Sequence, residues 1–578
     1  MTVTELRPPV GESAPDFPAG ARRQRRIGSQ GVIIAVVAAI VIFLVLVPIV
    51  YLLDGTLTKD GRFTLDFMQS AYSAAGLPRM VWNSLLFGLG TTVVSVVLGT
   101  ALAYVVARTD VPLKGLVYAA ALIPMIIPGV LYTISWIFLS SPQIGTLNKL
   151  IEPIVGPGFL NIFSMSGMIF VEGVHTAPVV FLLLFPAFKN MDSSLEESAL
   201  MSGAKMPSVL LKITLPMVKP ALYLSALIVM IRALSAFEVP QLLGAPSGIW
   251  VFTSRIFNSL TGFPVDYGTA GAYSIGLLVL LAVFATFQSG MSKKARSYQT
   301  VTGKGFRPAI VKLGRFRILA AVLIFVYFVV SCALPILVLI YASLQGFYSP
   351  PTLATMHHLT LANYSAVFSG DDTVTAFKNS LILAVGSATI IMLLTSIIAW
   401  IVVRRRIRGA APLNALSMMP LGIPGLVLGV ALLFFYLRVP LPIYGSLWIL
   451  LIAYVTVFLP YGVTYASSAM YQIADELEES AKVSGAGFWL VFRKVTIPLL
   501  MPGLVTGWTF IVLVSIRELG ASLLLYTPGK QVLSILIWQD WGDGRLTELA
   551  ALGVVMITML VVIVVIARKV GAKVGVQS

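Results

Sequence analysis

Twelve apolar runs, each long enough to cross a bilayer, leave this chain few folds to choose from. A spanning helix needs about 20 apolar residues. Such runs lie at 31–53, 80–107, 115–140, 165–188, 217–245 and 268–290, then at 318–344, 378–403, 411–436, 444–470, 499–526 and 546–567. Only 11% of the residues are charged, against about 25% in soluble domains. In hydrocarbon every backbone N–H and C=O must pair within the protein, which helices achieve and open strands do not. The expectation is an all-α polytopic membrane protein of 12 transmembrane helices in two sets of six.

The segments between the runs orient it. Residues 1–30 form a polar tail with Pro8, Pro9, Pro15 and Pro18, then Arg22, Arg23, Arg25 and Arg26. The run after it is too long for a signal-peptide core, so it reads as a retained first span. The expected units are 31–292 and 318–578, joined by a basic linker at 293–317. With the N-terminus cytoplasmic, inside segments hold 29 Lys and Arg, outside loops 9, and spans two. That bias follows the positive-inside rule and puts both termini in the cytoplasm of a multi-pass inner-membrane protein. It also accounts for the +16 net charge without a nucleic-acid partner; the expected surroundings are membrane lipid. The lone Cys332 excludes an internal disulfide and reads as a packing residue.

The two sets repeat one another. The stretch from Asp192 to Pro220 returns from Asp475 to Pro502: Glu197, Ser198, Ala199, Gly203 and Pro216 reappear as Glu479, Ser480, Ala481, Gly485 and Pro498, all offset by 282. Glu196 and Glu478 precede the two glutamates. Asn83-Ser84-Leu85 and Pro124-x-x-x-Pro128-Gly129 return as Asn379-Ser380-Leu381 and Pro420-x-x-x-Pro424-Gly425, offset by 296. Both halves have the same orientation, which implies a pseudo-two-fold axis along the membrane normal and a pathway between them. The Pro-Gly segments are expected to break their helices, at a pathway or as packing kinks.

Each repeated loop reads as two short helices with a bend that Gly permits by accepting positive φ. Pro216 and Pro498 would open the next span, where a missing N–H costs nothing. An acidic helix of this kind suits a groove on a cytoplasmic partner, or is an amphipathic connector.

The pattern Glu197-Ser198-Ala199, Gly203, Ile213-x-Leu215-Pro216, with Val495 and Ile497 in its second copy, resembles the coupling motif of binding-protein-dependent ABC importer permeases. Ser stands where that family has its first Ala. The resemblance covers roughly 80–290 and 378–567 and implies two parallel six-helix repeats of importer-permease type, fused in one chain. It further implies two copies of a cytoplasmic ABC ATPase docked on the coupling residues Glu196, Glu197, Ser198, Ala199, Gly203, Pro216, Glu478, Glu479, Ser480, Ala481, Gly485 and Pro498. Ser235-Ala236-Phe237-Glu238-Val239-Pro240, Val251 to Ile256 and Arg517 to Tyr526 are similar to ferric-iron type permeases. Related fused permeases are thought to carry thiamine, polyamines or 2-aminoethylphosphonate. No G-x-x-x-x-G-K-[ST] loop occurs in the chain, so ATP and Mg are expected on the partner ATPase. The chain is expected to be a transport subunit and no enzyme, with no catalytic residues and no cofactor of its own. Capture of substrate would belong to a separate extracytoplasmic substrate-binding protein.

Ionisable residues in spans are costly and draw functional suspicion. Glu172 and His175 fall in the fourth run, Arg232 and Glu238 in the fifth, and Arg517 and Glu518 in the eleventh. They line a translocation path, or pair to join helices; their mixed signs leave the cargo's charge open. His357, His358, Asp371 and Asp372 share an outside loop, but adjacent histidines diverge on an extended chain, so no metal site is expected. Two rivals remain: an ion-gradient-driven secondary transporter whose buried acids bind protons or sodium, and a membrane scaffold with no cavity.

Overall fold

The computed structural model describes residues 29–295, 310–405, 409–439, 442–443 and 445–573. Most of the expected tail and linker thus lies outside the described residues. The first half comprises α1 (Ser29–Leu57), α2 (Leu77–Arg108), α3 (Lys114–Ile126), α4 (Gly129–Ser140), α5 (Met165–Lys189), α6 (Ser194–Met201), α7 (Leu215–Ser235), α8 (Phe252–Thr261) and α9 (Tyr267–Ala295). The second comprises α10 (Phe316–Phe328), α11 (Leu334–Ser343), α12 (Asp371–Ala399), α13 (Ala410–Met418), α14 (Gly425–Arg438), α15 (Leu447–Tyr471), α16 (Asp475–Val483), α17 (Ile497–Ile516), α18 (Leu533–Gly542) and α19 (Leu546–Lys573). The sheet content described is one hairpin, Thr58–Lys59 against Arg62–Phe63.

Among the described residues ten helices are long and apolar enough to span, and two further pairs, α3 with α4 and α13 with α14, are bent by 109° and 108°. The runs at 115–140 and 411–436 are therefore not straight spans. A proline disfavours the helical region in the residue before it, and Ile127 and Ile423, each just before a proline, are extended at ψ 127° and 116°.

Packing shows that each bent pair nevertheless crosses. Down one face of α2 run Gly88, Thr91, Ser95, Gly99 and Ala103, all buried, a stripe of small residues that lets helices approach closely. Ser95 Oγ donates to Gly173 O at 2.9 Å and lies 2.7 Å from Thr176 Oγ1. Gly90 faces Ile169, and Gly99 faces Ala177 and Val180. Contacts that rise together in number mean that α2 and α5 are parallel. The chain must then return across the membrane between them, and α3 with α4 supplies the return. Gly386 against Leu451, and Gly462 against Ile391 and Thr395, show the same for α12 and α15. Among the described residues this gives twelve crossings, each bent pair taken as one, with both acidic loops at one end of the molecule.

The first helix of each half packs on the other half. Phe43 and Tyr51 of α1 meet Phe435 of α14 edge-on at 5.8 and 5.1 Å, and Asp54 pairs with Arg438. Beyond α11, Tyr348 stacks on Phe138 of α4 at 4.3 Å and donates to its carbonyl at 2.7 Å. Each broken helix is thus held by an arm from the opposite half. At the loop end, residue 311 bridges to Thr109 in parallel, and Leu313 N donates to Asp110 Oδ1 at 2.9 Å. The end of the linker is thereby fastened to the first half.

The fifth and eleventh spans differ from expectation. They run Met206–Ser235 and Trp489–Ile516, rather than 217–245 and 499–526. Pro216 and Pro498 do not open them. Each follows a π-turn, Leu210–Thr214 or Phe492–Thr496, inside a continuous helix. The wider turn relieves the clash of the proline ring with the carbonyl four residues back.

Candidate functional site

The coupling loops are built by capping and one buried ion pair. Gly203 and Gly485 adopt φ +85° and +83°. In the first loop the Gly203 amide reaches Leu200 O, and Ala204 reaches Ala199 O, both at 3.0 Å; in the second, Ala486 reaches Ala481 O at 3.1 Å. This is a Schellman cap, and it needs a left-handed residue at that position. The interval between motif alanine and glycine is the interval of the cap. A Cβ at either glycine would meet nothing within 4 Å, so the constraint is conformational. Gly203→Ala should cost about 1 kcal/mol, read as roughly fivefold faster amide exchange at Gly203 and Ala204; unchanged exchange would refute the cap.

The adjacent glutamates part company. Glu196 is buried: it pairs with Arg108 at the end of α2 and accepts from Thr214 Oγ1 at 2.5 Å. Arg108, 0% exposed, also donates to Met191 O at 3.2 Å. Glu197 is exposed and accepts from Ser193 Oγ at 2.8 Å. The Ser194 amide and hydroxyl hold Asp192 below the usual carboxylate range. Ser198 and Gly203 are exposed, as are Leu195, Leu200 and Met201, the last at 90%. In the second loop Glu479, Ser480 and Gly485 are exposed and Ala481 is half-buried, like Ala199. Its exposed apolar residues are Leu477, Val483, Trp489 and Leu490. The Glu478 side chain lies outside the described residues. Arg404 donates to Ile473 O at 2.6 Å, so Arg108 with Met191 and Arg404 with Ile473 follow the offsets of 296 and 282. Sequence reasoning missed these arginines, although the 296 offset relates them.

The charged residues gather where the helices break. Glu238, Arg517 and Glu518 are not in spanning helices, since α7 and α17 end at Ser235 and Ile516. α3 has 13 residues, so its broken end stands roughly 20 Å from its start. There His175 Nε2 lies 3.2 Å from Pro124 O, its ring stacked on Tyr132 at 4.6 Å. Arg517, from the other half, donates to Met125 O. Both serve carbonyls that the break leaves without intrahelical donors.

Glu238 and Glu518 occupy matching places. A Cβ on Gly129 would stand 3.4 Å from the Glu238 carboxyl carbon, and one on Gly425 would stand 3.0 Å from Glu518 Oε1. Each carboxylate therefore sits at the N-terminus of the second half of a broken helix, where the dipole favours negative charge. Ala521 N donates to Glu518 Oε1 at 2.8 Å. Glu172 is 8% exposed. Arg232, by contrast, is exposed.

Beyond this layer, away from the loops, aromatic rings join the halves. Trp538 of α18 lies 5.4 Å from Phe237 and 5.7 Å from Phe257 of α8. The repeated Asn-Ser pairs place these short helices. Asn83 Nδ2 donates to Trp250 O at 3.2 Å, and the Phe252 amide donates to Ser84 Oγ at 3.2 Å. Asn379 reaches Gln531 O at 2.8 Å, and the Leu533 amide reaches Ser380 Oγ at 2.9 Å. Next to Trp538, burial pushes the Asp540 carboxyl up to about 6 against the pull of Arg545. An acid raised on folding adds stability below its unfolded value of about 3.9, and that contribution fades as pH rises through about 6. The unfolding temperature should be higher at pH 5 than at pH 8, and Asp540→Asn should reduce that difference.

Among the described residues no group of three or more His, Cys, Asp or Glu could hold a metal ion. His357, His358, Asp371 and Asp372 form no such group.

The family described as binding-protein-dependent transport system inner membrane component matches residues 95–290 and 392–573. The chain is 24% identical over 474 residues to the Fe(3+)-transport system permease protein FbpB 2 of Haemophilus influenzae, covering 81% of this chain and 86% of that one. It is 25% identical over 534 residues to the ferric transport system permease protein FbpB of Actinobacillus pleuropneumoniae, covering 91% and 76%. A Salmonella paratyphi A permease protein assigned to 2-aminoethylphosphonate transport is 28% identical over 264 residues, covering 45% of this chain and 96% of that protein. With two matched segments that together span more than half of its length, the chain belongs to the family of binding-protein-dependent transport system inner membrane components and carries two fused permease units.

Proposed function

We propose that the chain passes ferric iron, free or chelated, from an extracytoplasmic binding protein to the cytoplasm, driven by two copies of an ABC ATPase that carry ATP and Mg. The observation that supports this most directly is the pair of matched loops at one end of the molecule. Each exposes a glutamate and apolar side chains on a helix closed by a left-handed glycine. Exposed apolar residues grouped in this way suit a partner surface. That end carries the basic loops and would be cytoplasmic, with both termini. Closure of the ATPase pair would draw the two loops together. The movement would reach the broken helices through the Arg108–Glu196 pair and part the aromatic contact at Trp538. The iron-transport relatives, similar over most of the chain, support iron as cargo.

The test is uptake into proteoliposomes holding the chain, its ATPase and its binding protein. Ferric iron, thiamine, a polyamine and 2-aminoethylphosphonate are each supplied with and without ATP. ATP-dependent uptake of iron is expected. Uptake of another cargo would overturn the iron assignment, and gradient-driven uptake without ATP would overturn the ATPase coupling.

A further inference from the structure

A groove opens where the end of the linker meets the first half. One wall is the turn of Pro112 and Leu113 at the head of α3, and the other is α10, which presents Arg317, Ile318, Val322 and Phe325. Its volume is about 500 Å³, within the about 300–1,000 Å³ usual for a small-molecule site. Ile318, Val322 and Phe325 recur at the spacing of one helix face, and all three are exposed, Ile318 at 75%. Leu113, also exposed, is held at φ 64°, a costly conformation for a branched side chain. Strain of this kind gathers at ligand clamps. α10 opens the span Phe316–Ser343, so the groove is sunk in the bilayer. From Arg317 to Phe325 it follows the helix for roughly 12 Å, most of the about 15 Å of hydrocarbon in one leaflet.

The mouth of the groove is basic. Across 105–125 and 310–330 the basic residues are Arg108, Lys114, Lys312, Arg315 and Arg317, and the one acid is Asp110. Arg108 is engaged by Glu196 and the Met191 carbonyl, and Asp110 accepts from the Leu313 amide. Arg315 lies over the Phe316 ring, 5.2 Å from its centroid. Lys312, Arg315 and Arg317 are exposed. Among the described residues the Arg317 side chain makes no hydrogen bond and no ion pair. An apolar wall under a cationic rim suits an amphiphile with an anionic head. Basic pockets between membrane helices at the cytoplasmic face take anionic lipid head groups, and a guanidinium fork matches paired phosphate oxygens. A neutral lipid would leave the cations unmatched, and a soluble peptide would not reach walls that lie within the bilayer.

We propose that this groove seats one anionic phospholipid of the leaflet at the loop end, its phosphate on Arg317 and one acyl chain along Ile318, Val322 and Phe325. The site goes beyond the importer reading and takes from it only which leaflet supplies the lipid. The seat joins the two halves, since Pro112 and Leu113 belong to the first and α10 to the second. Thr109, which bridges to residue 311, directly follows the Arg108 that anchors the first coupling loop. A lipid held there braces the junction of linker and loop anchor.

Native mass spectrometry of the purified full chain, titrated with phosphatidylglycerol or with phosphatidylcholine of the same acyl chains, tests this without ATP, iron or partner proteins. One phosphatidylglycerol should be retained, at least about tenfold more tightly than phosphatidylcholine. Arg317→Gln should weaken phosphatidylglycerol by at least about fivefold and leave phosphatidylcholine unchanged, and Arg317→Lys should recover part of the loss. Ala321→Trp, which fills the groove from α10, should remove the retained lipid of either kind. Arg255→Gln, in α8 and away from the loops, should change neither. Phosphatidylglycerol should also raise the unfolding temperature of the wild type and not that of Arg317→Gln. Equal retention of the two lipids, retention unchanged by both Arg317→Gln and Ala321→Trp, or displacement of phosphatidylglycerol by inorganic phosphate would overturn the site. A lower unfolding temperature for Ala321→Trp with no lipid lost would assign the groove to the connector at 296–309 and overturn it equally. Retention that depends on Arg317, with no iron uptake by the reconstituted complex, would overturn the iron assignment and leave the lipid seat standing.

Discussion

Arg108→Ala should uncouple the transporter and destabilise it by about 3–5 kcal/mol, the cost of leaving one member of a buried ion pair unpaired. Arg108 is 0% exposed and Glu196 3%. Removing the guanidinium strands the Glu196 carboxylate and frees the Met191 carbonyl together. Total stabilities of about 5–15 kcal/mol leave little margin for such a loss. The check is thermal unfolding of the purified chain beside ATP-driven uptake in the reconstituted complex. Combining Arg108→Met with Glu196→Leu should recover most of the stability, because apolar replacements of similar volume leave no charge behind. If the recovered double variant also transports, the pair serves only to attach the loop. If it folds without transporting, the charges themselves carry the movement. Arg108→Ala with unchanged unfolding and uptake would refute the assignment.

Gly99→Val should cost a further class of stability, at or above the upper end of the about 1–3 kcal/mol usual for overpacking. The first added carbon would stand 2.5 Å from Val180 Cβ, 2.7 Å from Ala177 O and 2.9 Å from Phe181 N. Two of these three atoms are backbone and cannot swing away. α2 and α5 would be forced apart, and the Ser95 bond to Gly173 O lies one turn along the same seam. Gly115→Ala is the control, because a Cβ there meets nothing within 4 Å and alanine favours a helix by about 1 kcal/mol. Equal yields of folded protein for the two variants would show that the seam is looser than described.

The all-α architecture, the twofold repetition and the loops were legible because each rests on local periodicity or on residues repeated at fixed offsets. Gly203 and Gly485 announced the left-handed cap, since few other residues accept that conformation. What stayed hidden depends on tertiary placement. Hydropathy carried the fifth and eleventh spans across the breaks after Ser235 and Ile516, because Phe237, Val239, Leu242 and Leu243 are as apolar as a helix interior. Pro216 looked like a helix start because a π-turn leaves no mark in composition. Glu196 and Glu197 are neighbours in sequence and identical in chemistry. Only the position of Arg108, 88 residues earlier, decides which one is buried. The Asn83-Ser84 repeat was visible, but its use in pinning α8 required seeing residues 250–252 beside it.

The crossed arms bear on what the connector at 296–309 is for. Phe43, Tyr51 and Asp54 hold α14, while Tyr348 holds α4, so the two halves are clasped like linked hands. Cutting the peptide backbone between them would make two polypeptides without making two molecules. A tilt imposed on one half is delivered directly to the other half's broken helix. A swing of either half would have to carry or break the arm that the other half lays on it, so a pull that reaches only one loop would be felt by both.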